Sequence, residues 1–376
     1  MEIQLLVLML ALLGAWYYSL LPAATPIREN RNRKNYIIFI CIILILQSAL
    51  RHVAVGADTY AYYLKFEEIK LTSWQEIWEN FRSVYVLGEG KDAGYPLIQK
   101  VFQIIFPDYR FFLFAVASFF FWTLGRFLWF NTSHIRNCLI AICLYQALFY
   151  GFFSITGIRQ TIATSFTLLG YEYIKKRRFT PFLLLILGGA LIHKSVLIFL
   201  PFYFIAQIKH VKVFLLGIIV ILPIVFISAR RFAVILAQLS TSENYMNYAI
   251  SDYETAGAKM FLVFMIIIVC STLVLYRDIS SFESEKIKLV INACALSLIF
   301  TPLTWVDPSL MRVAQYYSIF TLLLLPVIIE SVVRQHNLRN LRNLVFAVVI
   351  LLLGMIIIKH NAAYGFLWEN MQIIEY

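Results

Sequence analysis

The chain has 376 residues, of which 61% are hydrophobic and 14% charged, and a formal net charge of +11. So much apolar surface excludes an ordinary soluble fold, and apolar runs that are continuous and not alternating exclude a membrane β-barrel. The positive charge does not point to nucleic acid, because the Lys and Arg residues gather at the ends of the apolar runs, where membrane topology needs them.

The expected fold is all-α, a polytopic transmembrane bundle of about twelve spans forming one integral membrane domain over 1–376. Span 1 covers 3–21 and is ended by Pro22 and Pro26. It is longer than a typical signal-peptide core and no basic residue precedes it, so a cleaved leader is not expected. Arg28, Arg31, Arg33 and Lys34 mark the cytoplasmic side and put the N-terminus outside. Span 2 (36–50) then delivers residues 51–108 to the outer face as a large extracytoplasmic loop. In that loop Phe66, Ile69, Trp74, Ile77, Trp78 and Phe81 recur near helical spacing among charged residues. This pattern predicts one amphipathic helix suited to the interface plane. A further apolar helix is expected over 97–106, followed by spans 3 (111–130) and 4 (138–153). Span 5 opens at Arg159-Gln160 and closes at Lys175-Lys176-Arg177-Arg178.

The runs 181–192 and 196–205 are short, and His193-Lys194-Ser195 separates them. Both outer flanks are basic, so two short spans meeting at His193 satisfy the charge rule where one helix would break it. Broken helices at membrane depth are tolerated where they line a cavity or are buried in protein. Span 8 (213–228) leads to a second extracytoplasmic loop, 230–259, carrying Tyr245, Tyr248 and Tyr253. Spans 9 (260–276), 10 (289–303), 11 (311–330) and 12 (344–358) complete the chain. The five cysteines all lie in apolar runs and read as small hydrophobes.

Polar residues sort by side. Arg51, Arg159, Arg312 and His193 all fall on the external face of this topology. An arginine at a helix centre costs about 2.5–3.5 kcal/mol on insertion scales, and outer ends have no positive bias to explain one. Three together point to a bound anion, and the planar fork suits paired phosphate oxygens. The competing reading is that each is an end anchor reaching for headgroups. Gly56 permits a sharp turn that would let Arg51 and Asp58 converge. Asp58 and His193 are alternative bases, the first a carboxylate kept ionised by nearby arginines, the second an imidazole suited to proton transfer. Tyr60, Tyr62 and Tyr63 could stack on sugar rings or belong to an interfacial belt. No zinc-protease, nucleophile-elbow or nucleotide-loop motif is present, so neither a metal nor a cofactor is expected.

Arg51-x4-Gly56-x-Asp58-Thr59-x-x-Tyr62 after the second span, Asp92-x-Gly94-Tyr95 in the large loop, Arg159-Gln160 at a span start and His193-x-Ser195 in a hairpin form an ordered set. Together they resemble the EpsG family, Wzy-like bacterial exopolysaccharide and capsular polysaccharide polymerases. The resemblance is good over about 30–205, and Met311-Arg312 to Tyr316-Tyr317 is a weaker match. Ala57 stands where Thr is more usual. The resemblance implies a metal-independent glycosyltransferase, similar in architecture to lipid-dependent multi-span (GT-C-like) enzymes. It would join oligosaccharide repeats linked to a polyprenyl (undecaprenyl) diphosphate at the outer face of the bacterial cytoplasmic membrane. Arg51, Arg159 and Arg312 would hold the diphosphate, and Asp58 or His193 would activate the acceptor hydroxyl. Thr59, Tyr60, Tyr62, Tyr63, Gln160, Ser195 and Tyr316 would contact substrate. The implied partners are the lipid-linked donor and acceptor, the bilayer, and a flippase and chain-length regulator of the same pathway. The alternatives are a flippase or transporter for the same lipid-linked sugar, for which the expected internal repeats are not found, and an O-antigen-ligase-like transferase.

Overall fold

The computed structural model describes residues 3–22, 25–56, 58–88, 90, 92–240, 246, 257–336, 338–359, 364–369 and 371. Tyr245, Tyr248 and Tyr253 of the expected second loop lie outside them. The described residues are helical throughout, apart from loops and one isolated antiparallel bridge between Arg51 and Phe366. The helices gather into two compact units, one of 1–82, 93–169 and 343–376, the other of 83–92 and 170–342.

The first unit contains α1 (Ile3–Leu20), α2 (Pro26–Ala49), α3 (Thr59–Leu71), α4 (Trp74–Arg82), α5 (Gly94–Ile105), α6 (Tyr109–Asn131), α7 (Ile135–Leu148) and most of α8 (Ile158–Lys175). Helix α2 starts where Thr25 accepts from Arg28 N and Pro26 fills the first turn, a position where proline loses no hydrogen bond. It packs on α1 and α6. A Cβ at Gly125 of α6 would stand 2.9 Å from Cys41 Sγ of α2, so glycine is what lets the two backbones approach here.

The single amphipathic helix expected across 66–81 is divided into α3 and α4. The cause is local. Ser73 N donates to Glu76 Oε2 at 2.7 Å and Glu76 N donates to Ser73 Oγ at 3.2 Å, a reciprocal box that starts a new helix. Phe66, Ile69 and Ile77 are buried, whereas Trp74 and Trp78 are exposed. Helix α5 locks the end of α3. Lys100 Nζ donates to the carbonyls of Ile69 and Lys70 at 3.0 and 3.1 Å, where the helix leaves acceptors without partners.

The second unit contains α9 (Phe179–Ile192), α10 (Phe202–Ile205), α11 (Val211–Ile227), α12 (Ala229–Ser240), α13 (Lys259–Phe282), α14 (Ile287–Phe300), α15 (Met311–Ser318) and α16 (Thr321–Gln335). Helix α17 (Arg342–Lys359) returns the chain to the first unit. Helix α14 is the centre of the second unit, buried along almost its whole length and packed against α11, α13, α15 and α16. Asn292 Nδ2 donates to the carbonyls of Ile205, Ala206 and Ile208 at 3.1–3.3 Å, which satisfies the end of α10 inside protein.

Five helices are long and apolar enough to cross a membrane, α1, α6, α13, α17 and the run Ile287–Trp305. The number rises to eight if each of three bent pairs counts as one span. The other four of the twelve expected spans coincide with α2, α8, α9 and the run 194–205, which do not meet that test. Arginines load the start of α2, and polar residues line α8. Helix α9 has 14 residues and is about 21 Å long, short of a hydrocarbon core of about 30 Å.

Candidate active site

In the first unit the chain turns sharply after α2. Gly56 has φ of +98°, and a Cβ there would stand 2.4 Å from Ile155 Cγ2. Only glycine tolerates both conditions. The turn lies against the wide π-type turn Tyr150–Thr156 that precedes α8. Arg51 is buried, with Nη1 donating to Ser48 O and Nη2 to Ile155 O at 3.1 Å. Thr59 Oγ1 donates to the same Ile155 carbonyl at 3.2 Å, and Ser48 Oγ to Ser154 O at 2.9 Å. The Arg51 stretch and the segment opening Arg159-Gln160 are thus stitched together through the carbonyls of Ser154 and Ile155. The C-terminal segment adds to the seam. His52 N donates to Gly365 O at 2.8 Å, Leu367 N to Leu50 O at 2.9 Å and Tyr364 Oη to Gln47 O at 2.7 Å.

Arg159 stands half-buried in the first turn of α8. Its Nε donates to Tyr62 Oη at 3.4 Å, and its guanidinium carbon lies 5.8 Å from that ring's centroid. Tyr62 meets Tyr95 edge-on at 6.0 Å, and Tyr63 meets Tyr109 at 5.6 Å. Burial pushes the Tyr95 phenol well above its ordinary pKa, so it stays a neutral donor. Tyr60 lies 6.1 Å from Tyr63, ring to ring. Asp58 is exposed at the start of α3, and Gln160 is buried beside Arg159. Arg51 therefore ties chain segments together through neutral carbonyls, while Arg159 presents a partly exposed guanidinium over an aromatic cluster.

In the second unit α9 stops at His193, which is extended, with φ −154° and ψ 106°. His193 and Asp92 are both buried. Asp92 Oδ2 lies 3.0 Å from His193 Nδ1, and Asp92 Oδ1 accepts from Lys194 N at 2.9 Å. A carboxylate only accepts, so Nδ1 carries the ring proton and Nε2 is the basic nitrogen. Asp92 holds this position in the left-handed region, with φ of +54°, which Asp tolerates better than most residues. Tyr85 Oη donates to Leu191 O at 2.7 Å and fastens the Asp92 segment across the end of α9.

Beside the histidine, Ser195 Oγ lies 2.8 Å from Tyr316 Oη of α15. Tyr317 Oη donates to Ile198 O at 2.5 Å. Arg312 lies one turn before Tyr316 and is half-buried. An apolar groove of about 230 Å³ begins at Lys194 and Ser195 and runs between Leu197, Ala233, Ala237 and Val313. This unit therefore offers an oriented imidazole, a hydroxyl pair, two cations and an apolar channel.

Of the sequence-derived candidates, Arg51, Asp58, Thr59, Tyr60, Tyr62, Tyr63, Arg159 and Gln160 belong to the first unit. His193, Ser195, Arg312 and Tyr316 belong to the second. The sequence reading missed Asp92 as the partner of His193. The available signal was an acid in a glycine-rich stretch, Gly88, Gly90 and Gly94, where a left-handed residue is easily accommodated. Nothing in the spacing identified its partner.

Compared with known families, the chain matches the model of the EpsG family over residues 34–376. No curated protein and no solved structure matches it significantly.

Proposed function

The chain belongs to the EpsG family of Wzy-like polysaccharide polymerases, and from that premise we propose that it joins polyprenyl-diphosphate-linked oligosaccharide repeats with His193 as the base. The observation that carries this reading is the buried Asp92–His193 pair, whose imidazole is held in one tautomer and is followed directly in the chain by Lys194 and Ser195, which line an apolar groove. In the proposed step an acceptor hydroxyl oxygen attacks the anomeric carbon of the donor sugar. The new C–O bond forms as the bond to the diphosphate breaks, the electron pair leaves with the diphosphate, and the hydroxyl proton goes to His193 Nε2. A positioned base contributes about 10²–10⁴-fold to such a step.

The remaining roles follow from exposure and charge. Lys194 and Arg312 of the second unit are proposed to take up phosphate oxygens and stabilise the leaving charge without a metal ion, and Arg159 of the first unit is proposed to bind a substrate anion. Tyr60, Tyr62 and Tyr63 are partly exposed and are proposed to contact sugar rings. Asp58, exposed at a helix start, is assigned to binding sugar hydroxyls, and Arg51 to holding the turn that presents it. The groove beyond Lys194 and Ser195 would take the first isoprene units of the lipid. The charge pattern supports an extracytoplasmic active face; a bacterial cytoplasmic membrane, a GT-C-like arrangement, and service by a flippase and a chain-length regulator are proposed from the family alone.

Reconstitution with a synthetic polyprenyl-diphosphate repeat tests the reading. Chain growth is expected, with His193→Ala lowering it at least about a hundredfold and Asp58→Asn much less. A single transfer to another lipid acceptor would instead indicate a ligase, and no bond formation would indicate transport.

A further inference from the structure

Helices α2 and α6 leave an open groove of about 510 Å³ along one side of their contact, wholly within the first unit. Its floor is where Gly125 meets Cys41, and the lack of a side chain at Gly125 deepens it. Its walls are helical stripes, Ile38, Ile42 and Ile45 on α2 against Trp122 and Phe130 on α6. Ile38, Ile42 and Trp122 are about half exposed, so their apolar surface has no protein cover.

Charge sits at one end only. Lys34 and Arg126 line that end, both are exposed, and no Asp or Glu lines the groove. Among the described residues no carboxylate forms an ion pair with either cation. The Arg126 guanidinium lies 4.8 Å from the Phe130 ring centroid, which holds it at the rim. The neighbouring Arg33 is engaged elsewhere, on the carbonyls of Trp129 and Thr132. The α2 wall from Lys34 to Ile45 is about 17 Å long at 1.5 Å per residue, close to half of a hydrocarbon core of about 30 Å. A groove one leaflet long, apolar along its walls and cationic at one end, matches a single leaflet lipid with its headgroup at that end.

We infer that this groove binds one anionic phospholipid, its acyl chain along the stripes of α2 and α6 and its phosphate on Lys34 and Arg126. The site is built wholly from the first unit and does not depend on the polymerase reading. The two cations select against a zwitterionic headgroup, whose own positive charge they would repel. The uncovered stripes supply what a soluble anion could not use.

The experiment uses the full chain, purified and delipidated in detergent, with dioleoyl phosphatidylglycerol, dioleoyl phosphatidylcholine and glycerol 1-phosphate as probes. Lipid retention is read by native mass spectrometry, and each variant's fold by its lipid-free unfolding temperature. Phosphatidylglycerol should be retained at least tenfold better than phosphatidylcholine, and glycerol 1-phosphate should not compete with it. Lys34→Gln with Arg126→Gln should remove that preference. Ile42→Trp, at a half-exposed position where a larger side chain has room, should lower retention of both lipids by filling the groove. Arg28→Gln with Arg31→Gln makes the same charge change outside the groove and should leave the preference intact. Equal loss in the two double variants would mean a general charge effect and overturn the site. Effective competition by glycerol 1-phosphate, or undiminished retention in Ile42→Trp, would also overturn it.

Discussion

Asp92→Asn separates the orientation of His193 from the stability of the loop that holds it. Asn has nearly the same shape and tolerates the left-handed backbone at φ +54°. Its carbonyl oxygen can still accept from Lys194 N, which now donates to Asp92 Oδ1 at 2.9 Å. Its amide then faces His193 Nδ1, at the 3.0 Å position of Oδ2, with hydrogens in place of lone pairs. The imidazole must respond by carrying its proton on Nε2, where it cannot accept another. A lost base corresponds to about 10²–10⁴ in kcat, or about 2.7–5.4 kcal/mol of barrier. Asp92→Ala behaves differently. It removes two charge-assisted hydrogen bonds, each worth about 1.5–3 kcal/mol, and with them the local side-chain bonding that eases Asp into the left-handed region. The Ala variant should therefore be poorly folded, and the Asn variant folded but slow. The assay is initial rates of polymerisation of a synthetic lipid-diphosphate repeat, beside thermal unfolding of the same preparations. A folded Asp92→Asn enzyme with kcat within twofold of wild type would refute an Asp92-held His193 as the base.

Four further outcomes are expected. Arg159→Lys and Arg312→Lys should each fall between wild type and the Ala variant in kcat, because Lys keeps charge and loses the planar fork; wild-type kcat and KM in both Lys variants would leave these arginines as topology anchors. Gly56→Ala should lower stability by at least about 2 kcal/mol, since it combines positive-φ strain with a stiff β-branched neighbour, and an unchanged unfolding temperature would contradict that. Ser73→Ala should cost α4 about 1 kcal/mol. Separately, the Ser73 backbone N–H holds the Glu76 carboxyl below its ordinary pKa, so the contribution of that bond is present above the unfolded-state pKa and lost as pH falls through the folded one; equal amide-exchange protection of wild-type α4 on both sides of that range would count against it. Arg31→Cys, in a background without the native cysteines, should resist an impermeant thiol reagent added outside intact cells, and labelling there would invert the topology.

Much of the fold was legible because its signals are short-range. Each of the twelve expected stretches is helical, and the chain does break at His193, where a polar tripeptide interrupts two apolar runs. The length of the spans was less legible. The expected span 36–50 left out the arginines at the start of α2, and the apolar residues of α8 drew attention away from its polar ones, although both count against a span. The division of α3 from α4 was written in Ser73 and Glu76, the two ends of a four-residue capping box, but the apolar spacing on either side concealed it. By itself the sequence determined an all-helical membrane chain, the family, the glycine at position 56 and the break at 193, since periodicity, chirality and capping act within a few residues. Tertiary structure alone decided that Arg51 is engaged by the carbonyls of Ser48 and Ile155, and that Asp92 meets His193 across 101 residues. A hydrogen bond needs its partners within about 3 Å in space and places no constraint on how far apart they lie along the chain.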